Sequence, residues 1–200
     1  MHKLLLATNN KGKVREYREL LRDIPFQLVT PAQEGIVLEV EESGSTYEEN
    51  ARLKAVAFSR AGGILTLADD SGLEVDALNG EPGIRSSRYA GEGAADADRV
   101  KHLLTKLKDV PQEKRTARFR CVIAIARPDG SVIYCYGQCD GVITFEPKGD
   151  EGFGYDPIFY FPELKKTMAE LPPSIKNNIS HRARAAEEAC KVLREKTTNN

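Results

Sequence analysis

Four short stretches of this chain carry residue types that could do chemistry together. The first, Thr8-Asn9-Asn10-Lys11-Gly12-Lys13, joins what reads as a short buried strand (Lys3 to Ala7) to a segment where Val14, Tyr17, Leu20 and Leu21 recur at helical spacing. A helix start offers backbone N–H groups and the positive end of the helix dipole, both suited to a phosphate. Asn9 or Asn10 can cap such a helix, Gly12 lets the backbone approach a ligand, and Lys11 and Lys13 add positive charge. It is not a Walker A loop, because Val14 follows the lysine where Ser or Thr is required.

The second stretch is acidic: Asp69-Asp70-Ser71-Gly72 follows the buried run Ile64 to Ala68, and Glu41-Glu42 lies upstream. Magnesium takes oxygen ligands, usually one or two carboxylates plus substrate phosphates, and α/β folds place ligands at strand ends. The third, Gly152-Phe153-Gly154-Tyr155-Asp156-Pro157, lacks the third glycine of a dinucleotide loop; its aromatic pair suits stacking on a flat base. The fourth, Lys176 with Ser180-His181-Arg182, puts cations at a helix start, where the dipole favours anions, and so points to a bound anion or a carbonyl acceptor. Each stretch alone also reads as ordinary structure: a capped helix, a turn, a core aromatic, a solvated face. Together they describe a nucleotide site.

The elements that must hold these residues follow from periodicity and punctuation. Phe26 to Val29 reads as a strand. Thr46-Tyr47-Glu48-Glu49 matches a capping box and opens a helix through about Ala61, which Gly62-Gly63 ends. Leu73 to Leu78 alternates as a half-buried strand does, and Asp69 to Gly72, at the end of the run before it, reads as often as a plain turn as a site. Asp96 is expected to cap a helix through Leu107. Phe119 to Ala126 and Val132 to Gln138 are strands around Asp129-Gly130, a strong hairpin signal, and Val142 to Phe145 is a further strand. A last helix after Ser180 carries Ala183, Ala186, Cys190 and Leu193 on one face. Helices alternate with strands early and a hairpin dominates later, so the fold class is α/β with a mixed sheet.

The chain has 200 residues, enough for one domain or one domain with two lobes. Its 29 basic and 30 acidic residues nearly cancel, which argues against a protein that grips long nucleic acid. The four cysteines contain no CxxC pair and read as buried thiols in a reducing cytoplasm. Leu4 to Ala7 is too short an apolar run for a signal peptide or a membrane span.

Five ordered blocks then resemble one family: LATNNKGKVREYRELL (6–21), EESGSTYEENARLKA (41–55), LADDSGLEVDALNGEPGIRSSRYAG (67–91), FGYDPIF (153–159) and ISHRARA (179–185). They are similar to the inosine/xanthosine triphosphate pyrophosphatases, the Ham1-like enzymes that clear deaminated purine nucleotides. The chain departs at Asn9, where some members carry Gly, and at Pro172-Pro173. The resemblance implies one two-lobed domain over 1–200, an elongated mixed sheet flanked by helices, and a central cleft between the lobes. It also implies a homodimer, with no nucleic acid or membrane partner. Thr8, Asn9, Asn10, Lys11, Gly12 and Lys13 would hold the triphosphate, and Ser71, Phe153, Gly154, Tyr155, Asp156, Lys176, His181 and Arg182 would contact substrate and base. Asp70 would be the general base and a magnesium ligand, with Asp69 and Glu42 completing the Mg2+ environment; Glu42 is preferred to Glu41 because it stands two residues before Gly44. Lys13 and Lys54 would stabilise the leaving pyrophosphate. A donor such as Arg182, Lys176 or a backbone N–H near His181 would meet the 6-oxo group of the purine, and an arginine there could take both O6 and N7.

Overall fold

A computed structural model describes residues 2–198, with side chains described to 195. Seven strands form a mixed sheet among the described residues: β1 (His2–Leu6), β2 (Phe26–Val29), β3 (Thr66–Val75), β4 (Thr116–Ala126), β5 (Val132–Ile143), β6 (Phe159–Phe161) and β7 (Lys166–Thr167), in the order β2-β1-β3-β4-β5-β6-β7. β1 pairs in parallel with both β2 and β3, whereas β5–β6 and β6–β7 are antiparallel. The helices are α1 (Lys11–Leu20), α2 (Tyr47–Gly62), α3 (Asp96–Lys106), α4 (Pro173–Ile179) and α5 (His181–Thr198).

The chain divides into two compact units, and β3, β4 and β5 each contribute to both. The first takes the chain up to Asp70, Cys121–Gly137 and the part from Arg182 onward; the second takes Ser71–Arg120 and Gln138–His181. The first unit's core joins Leu4 and Leu6 of β1, Tyr17 of α1, Leu67 of β3, Ile123 of β4, and Ala186, Ala189 and Leu193 of α5. The second gathers Leu73 and Val75 of β3, Leu103 of α3, Phe119 of β4, Cys139 of β5, Phe159 of β6 and Met168.

Local chemistry sets the helix starts. Asn10 caps α1, its Oδ1 accepting the Lys13 N–H at 3.1 Å. Thr46 caps α2 by accepting the Glu49 N–H at 3.1 Å; the Glu49 carboxylate reaches back one residue further than a standard box, to the Ser45 N–H at 2.6 Å. Gly63, at φ 62°, ends α2 in the left-handed region that glycine enters without a Cβ penalty.

Three expectations are corrected. Asp69-Asp70-Ser71-Gly72 is no turn: β3 runs through it from Thr66 to Val75, with Lys13 and Arg182 beside the Asp69 carboxylate and Asn50 on that of Asp70. Likewise β5 is one strand to Ile143, where separate strands over 132–138 and 142–145 were expected. Asp96 is the first residue of α3, whose cap is Ala95, and its carboxylate bonds elsewhere.

Candidate functional site

In the first unit the site is built around the Asp69-Asp70 step of β3. Successive strand residues point to opposite faces, so the two carboxylates meet different surroundings. Asp69 Oδ1 accepts a hydrogen bond from Lys13 Nζ at 2.9 Å, and Arg182 Nε lies 3.5 Å from Oδ2. Burial alone would raise the Asp69 carboxyl, but Lys13, Arg182 and Lys54 together hold it well below the usual carboxylate range. Asp69 is therefore a fixed anion that orients cations.

Asp70 is the opposite case. Its Oδ2 accepts from Asn50 Nδ2 at 3.1 Å. Burial pushes its carboxyl up, and Lys54 and Lys13 only partly offset this, while the charge of Glu42 pushes it further. A carboxylate with a raised pKa in such a place suits proton abstraction.

Asn50 explains how the acidic segment reaches Asp70. Its side chain lies on the buried face of α2 with Ala51 and Ala55. Its Oδ1 accepts the Gly44 N–H at 2.8 Å while its Nδ2 holds Asp70. The loop approaches so closely that a Cβ at Gly44 would stand 2.7 Å from that Oδ1. Two residues earlier, Glu42 Oε1 accepts from Lys54 Nζ at 2.6 Å, and Lys54 also donates to the Asp69 carbonyl at 2.7 Å. Burial would lower the Lys54 ammonium, but Glu42, Asp69 and Asp70 raise it, so it stays a cation.

Among the described residues no group of three or more His, Cys, Asp and Glu side chains is arranged to hold a metal. Two hard oxygen donors, Glu42 and Asp70, are close enough for one charge to raise the other's carboxyl. That donor set fits magnesium, which commonly takes one or two carboxylates and completes its shell with phosphate and water. Thr8 to Lys13 lie at the start of α1, exposed or half-buried, with Thr8 Oγ1 accepting the Asn10 N–H at 3.2 Å. Arg182 is almost fully buried in this unit, its Nη1 donating to Glu16 Oε2 at 2.7 Å. Burial pushes the nearby Cys121 thiol up to about 12, so it stays protonated.

The second unit brings Phe153, Asp156 and Lys176 together, and it also contains His181. The Asp156 carboxylate accepts from the Phe153 N–H at 2.9 Å and from Lys176 Nζ at 2.6 Å. Lys176 Nζ also stands 5.1 Å from the Phe153 ring centroid. Gly152, at φ 80°, is required here, since a Cβ would collide with the Asp156 carboxylate. His181 stacks on Phe119 with centroids 4.6 Å apart and an interplanar angle of 10°. Ser71, in β3, also belongs to this unit.

Sequence reasoning missed Asn50, Glu16 and the true partner of Asp96. A buried amide in the helical block 47–62 was the available signal for Asn50; nothing local marks the other two.

The pattern of the Ham1 family matches residues 4–192. The chain belongs to the Ham1 family. A protein named dITP/XTP pyrophosphatase from Desulforamulus reducens is 54% identical over 191 residues, covering 96% of this chain and 95% of its own. One of the same name from Bacillus subtilis is 45% identical over 193 residues, covering 96% and 98%. Among solved structures, a HAM1 protein from Coxiella burnetii superposes with a TM-score of 0.89 at 44% identity, covering 98% of this chain and 100% of that one. The Ham1 protein of Staphylococcus aureus gives 0.86 at 42% identity, covering 97% and 99%. The expected mixed sheet with flanking helices is the architecture these Ham1 relatives share.

Proposed function

We propose that this chain is a nucleoside triphosphate pyrophosphatase that hydrolyses non-standard purine nucleotides (ITP, dITP, XTP and dXTP). The products are the nucleoside monophosphate and pyrophosphate. The observation that carries the reading is Asp70, a buried carboxylate with a raised pKa beside Glu42 and Lys54, in a chain similar over nearly its whole length to proteins named dITP/XTP pyrophosphatase.

In this reading the start of α1, from Thr8 to Lys13, takes the triphosphate through backbone N–H groups and lysine charge. Magnesium, held by Glu42 and Asp70, would supply neutralisation of phosphate charge, while Asp69, on the other face of β3, acts through the Lys13 that it orients. Asp70 takes a proton from the attacking water, which adds at the α-phosphorus while the α–β anhydride bond breaks and the electron pair leaves on pyrophosphate. Lys13 and Lys54 stabilise the charge that develops on that leaving group. Phe153 and Tyr155 supply an aromatic surface for the base, and Ser71, Gly154, Asp156, Lys176, His181 and Arg182 supply its polar contacts. A homodimer in a reducing cytoplasm completes the reading; the four free cysteines fit that setting, and no helix among the described residues is long and apolar enough to cross a membrane.

The test is turnover of the four purine triphosphates with and without a divalent cation, with pyrophosphate and orthophosphate detected separately. Metal-dependent pyrophosphate release, fastest on ITP and XTP, is expected. Orthophosphate first with a diphosphate co-product would make the protein a phosphatase; tight binding without turnover would make it a nucleotide-binding regulator.

A further inference from the structure

Asp at a helix start normally caps it by accepting the N–H two or three residues on. Asp96 does not. The cap position is Ala95, and it is the Ala95 N–H that bonds forward, to Asp98 Oδ2 at 3.3 Å. Asp96 divides its oxygens: Oδ2 leaves the helix to accept the Gly154 N–H at 2.7 Å, and Oδ1 pairs with Arg99 Nη2, three residues on in the first turn. Arg99 is fixed in turn, its Nη1 donating to the carbonyls of Ser87 at 2.9 Å and Ala94 at 2.5 Å.

Gly154 sits in the loop that carries Phe153 and Tyr155; at φ 65° a Cβ there would meet nothing within 4 Å, so no side-chain contact of its own orients this peptide. The Asp96 bond fixes the peptide between Phe153 and Gly154, and a peptide plane is rigid. It therefore fixes the ψ of Phe153 and the direction from which its ring leaves the backbone. The next residue is anchored to the same segment, with Tyr155 Oη donating to the Ser86 carbonyl at 2.9 Å, one position before Ser87.

We infer that Asp96 and Arg99 are positioning residues for base selection: they touch no substrate, but they hold the 153–155 peptides so that the aromatic surface meets the purine in one orientation. The inference rests on the proposed role of that loop. It makes selectivity depend on a helix start whose acid and base are spaced as an ordinary surface pair.

The experiment compares wild type, Asp96→Ala, Asp96→Asn and Arg99→Lys on ITP, XTP and ATP, following pyrophosphate release. Asp96→Ala should raise KM for ITP about tenfold, with kcat within about twofold, the scale of one lost charge-assisted hydrogen bond. The preference for ITP over ATP should narrow. Asp96→Asn keeps a carbonyl acceptor for the Gly154 N–H and should fall between; Arg99→Lys keeps the charge without the fork and should shift the same way by less. Unchanged KM and base ratio in Asp96→Ala overturn the inference, as does a fall in kcat alone that is equal for every base, which marks only a loss of folded enzyme. If Asp96→Ala does not fold, Asp96→Asn and Arg99→Lys are read by the same criteria. Amide exchange at Gly154 gives a readout without turnover: faster exchange in the Asp96 variants supports the inference, and wild-type protection there overturns it. Absence of pyrophosphate release by the wild-type enzyme would instead fell the proposed function, and the exchange result would still decide the role of Asp96.

Discussion

Lys13 Nζ lies 2.9 Å from Asp69 Oδ1, with the Asp69 side chain only 1% exposed. The lysine at the start of α1 is thus aimed by a buried anion on β3. Lys13→Ala should lower kcat/KM by about 1.5–3 kcal/mol in barrier, the worth of a hydrogen bond to a charged group. Its effect should be similar for ITP, XTP, GTP and ATP, because phosphate is common to all. Specificity constants for the four nucleotides check this. A change in base preference would place α1 at the wrong end of the nucleotide.

The same ion pair makes a prediction about acid. Asp69 titrates lower in the folded protein than in the unfolded chain. Its stabilising contribution is therefore complete above the unfolded value, near 3.9, and is lost as pH falls toward the depressed folded value. The stability gap between wild type and Asp69→Asn should be constant from neutral pH to about 5 and shrink below about 4. Urea unfolding across that range measures it; a gap that stays constant to pH 2.5 would mean Asp69 is not held as an anion.

Asp70 has the opposite sign. Its folded value is raised, so ionising it opposes folding; that cost is absent below the unfolded value and complete once pH exceeds the folded one. Asp70→Asn should therefore stabilise the metal-free protein at neutral pH, with the gain vanishing near pH 4 and below, while turnover falls by at least about a hundredfold. Thermal melts in chelator alongside the activity assay test both halves. Near-wild-type turnover would assign the base to another carboxylate.

These contrasts also explain what the sequence could and could not reveal. The caps of α1 and α2 were legible because Asn10, Thr46 and Glu49 act on atoms within a few residues. Asp69 to Gly72 misled because Asp, Ser and Gly are turn formers, and the side chains that make a strand tolerable there, Lys13, Asn50, Lys54 and Arg182, lie 15 or more residues away. Asp96 misled for the same reason: its partner, Gly154, is 58 positions on. The short strands β6 and β7 had no periodicity to read, whereas α4 had an overlooked sign, Pro173 at its first turn. The residues expected at the site were carried by family resemblance; their opposed electrostatics emerge only from distant contacts.

Arg182 is the sharpest remaining test, because two demands fall on one guanidinium. Its side chain is 2% exposed, and it pairs with Glu16 at 2.7 Å and approaches Asp69 at 3.5 Å. Reading O6 and N7 of a purine would ask the same fork for two parallel N–H donors. Arg182→Ala should destabilise the protein by about 3–5 kcal/mol, since Glu16 is left as a buried, uncompensated charge. That loss alone says nothing about the base. Arg182→Lys separates the demands: it keeps a cation for Glu16 and Asp69 but cannot present a planar fork. If Arg182 reads the base, the lysine variant should keep most of the stability yet narrow the preference for ITP and XTP over ATP. The gap to GTP should change less, because guanine shares O6 and N7 and must be refused at its 2-amino group, where an unpaired buried donor costs about 1–3 kcal/mol. Specificity constants for the four nucleotides, measured beside thermal melts, decide it. An unchanged order and ratio in Arg182→Lys would mean that the guanidinium serves Asp69, and that the purine is selected by the loop and lysine of the second unit.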